Sequence, residues 1–132
     1  MDTPVKVFTV VALLSLPTVM FGGYSLLRLM SAERLTDFQR VYFRAGHAHA
    51  GVLLILSLVV LDIVDRSGVG TGLQWLVGVL IVIGTLAQSG GMFVHMAIGR
   101  PGAWSWGNTL TVAGAVGLAA ALLLTAYGVI AA

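Results

Sequence analysis

The sequence predicts an all-α integral membrane protein, a four-helix bundle with an amphipathic interfacial segment between its first two helices. Three observations predict it. The chain of 132 residues is 58% hydrophobic and 9% charged, whereas soluble domains run near a quarter charged. Its mean hydropathy is +1.00. Four apolar segments, 5–29, 43–63, 73–98 and 108–130, each reach the roughly 20 residues that a spanning helix needs. The run from Val52 to Leu61 is apolar all round, whereas barrel strands alternate apolar and polar residues. The connections are short, so the chain reads as one transmembrane domain, 1–132.

Composition also excludes functions. A net charge of +2 carried by scattered basic residues gives no stripe for nucleic acid. The absence of cysteine removes disulfides, thiolate metal sites and thiol nucleophiles together. No nucleophile–base pair, carboxylate pair or phosphate-cradling glycine loop stands out, which leaves enzymatic activity open. The first apolar run is long, is preceded by Asp2 and lacks a small-residue cleavage pattern, so it reads as a retained helix.

In the first helix, Thr3 is expected as N-cap with Pro4 in the first turn, where the missing N–H costs nothing. Pro17 falls mid-span and is expected to kink the helix. Gly22 and Gly23 permit close approach of a neighbour, and Tyr24 and Arg28 lie one turn apart at the helix end. Between Ser31 and Arg44, Leu35, Phe38, Val41 and Tyr42 recur at helical spacing among mostly polar residues, as an interfacial segment does. Thr36-Asp37-Phe38-Gln39 fits a capping box, and a helix started there could run straight into the second span and become the longest. Asp62, Asp65 and Arg66 end that span before the glycine-rich turn 67–72. In the third span Gly84, Gln88, Gly91 and His95 share one face, a stripe that should meet another helix. Arg100 to Trp106 is a tight connection with interfacial Trp104 and Trp106. Asn108 and Thr111 open a last span rich in Gly and Ala, whose small-residue surfaces predict a homo-oligomer or partner membrane subunits within the lipid bilayer.

Orientation follows from the basic residues. Arg28, Arg34, Arg40, Arg44 and Arg100 lie at one end of the spans, and only Lys6 and Arg66 at the other. The positive-inside rule then predicts both termini outside.

The polar residues gather at the basic end: Tyr24, Arg28, Arg44, His47, His49, Gln88, Ser89, His95, Asn108 and Thr111. Imidazoles within a span are costly without partners and so mark a candidate site. His49 follows Arg44 by five residues and His95 precedes Arg100 by five, which puts both ~7 Å inward of a charged boundary, at one level on antiparallel helices. His47 points about 200° away from His49, so either the first turn is unwound or the two have separate roles. A b-type heme held by His49 or His47 and His95 would find glycines beside it and Arg28, Arg44 and Arg100 for its propionates. A bare divalent metal, Zn or Cu, on His47, His49 and His95 is an alternative, with Tyr24, Gln88, Ser89, Asn108 and Thr111 as supporting polar groups. So are proton or small-solute transport through the same imidazoles, and a cofactor-free accessory subunit whose histidines bond helices together.

The stretches Phe43-Arg-Ala-Gly-His-Ala-His-Ala-Gly51 and Ala87-Gln-Ser-Gly-Gly-Met-Phe-Val-His95 resemble a group of uncharacterised small four-helix bacterial membrane proteins. That resemblance covers nearly the whole chain, implies the four-helix fold and a bacterial inner membrane, and brings no activity with it. The His-x-His at a helix start is also similar to that of heme-copper oxidase subunits, which have many more helices and ligands, and no site is carried over from them.

Overall fold

A computed structural model describes residues 1–131 and contains four helices: α1 Thr3–Ser31, α2 Asp37–Arg66, α3 Thr71–Ile98 and α4 Trp106–Ala131. All four are long and apolar enough to cross a membrane, so the protein is an all-helical membrane bundle. Each observed helix begins before the apolar run that announced it.

The largest extension is at α2. Thr36 is its N-cap: its side chain accepts from the Gln39 N–H at 3.2 Å, and the Gln39 side chain accepts from the Thr36 N–H at 3.0 Å. Two otherwise orphan donors are thereby satisfied. The amphipathic segment is therefore the opening of α2, continuous with the span, and α2 is the longest helix at 30 residues. At α1 the N-cap is Asp2, one residue before the expected Thr3, and Pro4 still lies in the first turn. The helix runs through Pro17 as a single element.

Packing is uneven. α2 and α3 lie against each other; α4 covers one side of them and α1 the other, and α1 and α4 do not touch among the described residues. The apolar core occupies the half nearer the termini. There Val60 and Val64 of α2, Val77 and Ile81 of α3, and Leu118 and Ala121 of α4 form one buried cluster. Val5 and Phe8 of α1 join Leu61 in a second. The Phe8 ring fills the space that a Cβ on Gly78 would need. Asp2 accepts a hydrogen bond from Gln74 Nε2 at 2.9 Å, fastening the start of α1 to the start of α3.

The stripe Gly84–Gln88–Gly91–His95 meets α4, as its spacing predicts. A Cβ on Gly91 would lie 2.5 Å from the Gly107 carbonyl oxygen and 2.6 Å from the Thr111 nitrogen, and one on Gly84 3.1 Å from the Gly114 carbonyl oxygen. Backbone meets backbone along this line. Lipid tails are as apolar as leucine, so burying apolar surface drives little association here; close packing of small residues supplies the attraction.

Candidate functional site

The three histidines lie at the basic end, and each engages a different neighbour. His95, on the last turn of α3, is 2% exposed. Its Nδ1 lies 2.7 Å from Ser105 Oγ, in the connection to α4. Ser105 also begins α4: its Oγ accepts from the Gly107 N–H at 3.1 Å, and Asn108 Oδ1 accepts from the Ser105 N–H at 2.9 Å. Ser105 Oγ also lies 3.3 Å from Asn108 Oδ1. Between Ser105 Oγ and His95 Nδ1 either atom can be the donor, the tautomer of the ring deciding which. The ring is flanked by Tyr42 and Phe38 at centroid distances of 4.4 and 5.3 Å. One imidazole thus joins the end of α3 to the starts of α2 and α4.

His49 turns to its own helix. Its Nδ1 lies 2.8 Å from the Ala45 carbonyl oxygen. A carbonyl only accepts, so Nδ1 carries a proton and is the donor. With Ala48, Val52 and Leu53 it lines a shallow open depression.

His47 faces α1. A Cβ on Gly23 would come within 2.9 Å of its Nε2, and one on Gly22 within 3.6 Å of its Nδ1. The glycine pair makes room for the ring, and no hydrogen bond to either ring nitrogen is present among the described residues. The turn carrying both histidines is regular helix, and His47 is directed at α1.

The expectation that His49 and His95 meet at one level is not met. The aromatic partners of His95 are Phe38 and Tyr42, and Tyr42 precedes His49 by seven residues, about 10 Å of helix. Counting inward from flanking arginines ignored where the helices cross. The part of α2 that reaches His95 is the amphipathic opening that the sequence had assigned to the headgroups. No group of three or more His, Asp or Glu side chains close enough to hold a metal occurs among the described residues.

The supporting residues divide in the same way. Thr111 Oγ1 donates within reach of the Gly107 carbonyl at 3.0 Å and the Gln88 carbonyl at 3.3 Å, so both serve the α3–α4 seam. Asn108 belongs to the α4 cap. Ser89 donates to Thr85 O at 2.6 Å. Arg28 lies over the Tyr24 ring at 6.0 Å. Arg28, Arg44 and Arg100 are exposed, and among the described residues the arginine ion pairs are Arg40–Asp37 and Arg66–Asp62. Sequence reasoning missed Ser105 and the aromatic pair as partners of His95. The Ser105-Trp-Gly-Asn108 spacing carries a cap signal that could have found the first.

No family model, no curated protein and no solved structure matches the chain.

Proposed function

We propose that this protein is a non-enzymatic membrane subunit whose imidazoles fasten helices, and which acts by associating with its own copies or with partner membrane subunits. The observation that supports this reading is the division of labour just described: His95 engages Ser105, Tyr42 and Phe38, His49 engages Ala45, and His47 engages the Gly22–Gly23 notch. Both termini lie outside in this reading, since the arginine-rich end is retained in the cytoplasm. The test is an absorption spectrum and elemental analysis of the purified protein beside the His95→Ala variant. The expected result is no Soret band, no stoichiometric metal and a variant less stable by about 1–3 kcal/mol, the cost of stranding the hydrogen-bond partners.

A second reading is favoured by one feature. His49 donates from Nδ1 to the Ala45 carbonyl oxygen, which in the neutral ring leaves Nε2 with the lone pair that ligates heme b or Zn or Cu. His49 would offer its nitrogen from the open depression, and Arg28, Arg44 and Arg100 supply cations at the same end. A Soret band or one bound metal per chain, lost in His49→Ala, would establish this reading and overturn the first. A selective flux in proteoliposomes, abolished by His95→Ala without loss of fold, would instead assign proton or small-solute transport.

A further inference from the structure

α1 is fastened toward both ends, and in between it rests on α2, with Ala12 buried and Val19 against Gly51, while standing further from α3. Toward the termini, Phe8 sits on Gly78; toward the basic end, His47 sits in the Gly22–Gly23 notch. Between these contacts lies a cleft of about 230 Å³ bounded by all three helices α1, α2 and α3. Its rim is formed by Val11 and Thr18 of α1 and Leu86 of α3, all exposed on the lipid-facing surface. Its wall includes Ala50, Ser57, Thr85 and Ser89. These positions fall near the middle of their helices, so the opening faces the hydrocarbon and not water.

The hydroxyls of this wall are not equivalent. Ser57 and Ser89 each donate to a carbonyl of their own helix, at 2.7 and 2.6 Å. Ser15, also lining the cleft, does the same at 2.7 Å. Thr85 does not. Its side chain is 4% exposed, and its only partner among the described residues is Ser57 Oγ at 3.5 Å, the outer limit of a hydrogen bond. A hydroxyl buried at mid-bilayer with so poor an acceptor is costly unless something else takes its proton. No ionisable side chain lines the cleft.

We propose that the α1–α3 cleft binds a neutral molecule from the lipid phase, with an apolar body and one oxygen function that accepts the Thr85 hydroxyl proton. The opening between Val11, Thr18 and Leu86 admits it sideways from the bilayer. The small residues Ala50, Ser57 and Ser89 make the volume, and the absence of charge selects against ionised heads. The site is independent of how His49 and His95 are used.

The test uses the full chain in lipid nanodiscs and three diazirine photoprobes of equal length: a long-chain alcohol, the alkane and the carboxylate. Labelling is mapped by peptide. The alcohol is expected to label 11–19 and 82–89 about fivefold more than the alkane, the ratio one net hydrogen bond provides. The carboxylate should not exceed the alkane. Thr85→Val, which keeps the shape and removes the donor, should bring the alcohol down to the alkane's yield. Ala50→Phe should suppress all three by filling the cleft. Equal alcohol and alkane yields in the unmodified chain, a carboxylate yield above both, or alcohol labelling untouched by Thr85→Val would overturn the proposal. Thr85→Val decides the matter even where Ala50→Phe fails to fold.

Discussion

The two flanks of the α2–α3 pair are built in opposite ways. On one side α4 lies so close that Gly91 and Gly84 of α3 meet α4 backbone atoms directly. On the other, α1 rests mainly on α2 and leaves a cleft against α3. Both flanks contain glycine, yet the glycines do different work. Those facing α4 let two backbones approach; those at Gly22 and Gly23 accommodate one side chain. Small residues in a membrane helix therefore do not report one kind of contact, and what lies opposite decides.

Substitutions can break this contrast, and they separate by size of effect. Gly91→Ala should cost most. Its Cβ would lie 2.5 Å from the Gly107 carbonyl oxygen, and since backbone cannot rotate away, the helices must part, at about 2–3 kcal/mol. Denaturant unfolding in mixed micelles should register the loss. Ser105→Ala comes next, at about 1–2 kcal/mol, because it removes the α4 cap and the hydrogen-bond partner of His95 together. The same titration should show it, with helicity falling first near α4. Gly23→Ala is expected to cost about 1 kcal/mol or less. Its Cβ meets His47 Nε2 at 2.9 Å, the end of a ring that can swing aside, and better helix propensity offsets part of the strain. A His47 ring resonance displaced in the NMR spectrum would mark the adjustment. Gly90→Ala should have the opposite sign. Nothing lies within 4 Å of its Cβ position, so the gain of about 0.5–1 kcal/mol in helix propensity stands alone. Adjacent residues Gly90 and Gly91 would then shift the unfolding midpoint in opposite directions.

Much of this could be read from the chain. The spans followed from apolar runs, the opening of α2 from Thr36 and Gln39, and the face of α3 that meets α4 from the spacing of Gly84, Gln88, Gly91 and His95. These are local patterns with a fixed period. The partners of His95 were not legible. Ser105 and Tyr42 reach it through a turn and through a crossing of helices, neither of which has a period in the sequence. The cleft was hidden for the same reason. Ser15, Ser57 and Thr85 read as scattered hydroxyls, and only the spacing of α1 between its two anchors brings them together.

The closest seam in the molecule joins elements that follow one another directly along the chain, α3 and α4. During synthesis, α3 reaches the membrane with a notch at Gly84 and Gly91 that neither α1 nor α2 fills, and lipid must occupy it until α4 follows. The insertion machinery is thus asked to deliver the two as a hairpin, so lengthening the turn around Gly102 should slow maturation well before it weakens the finished fold.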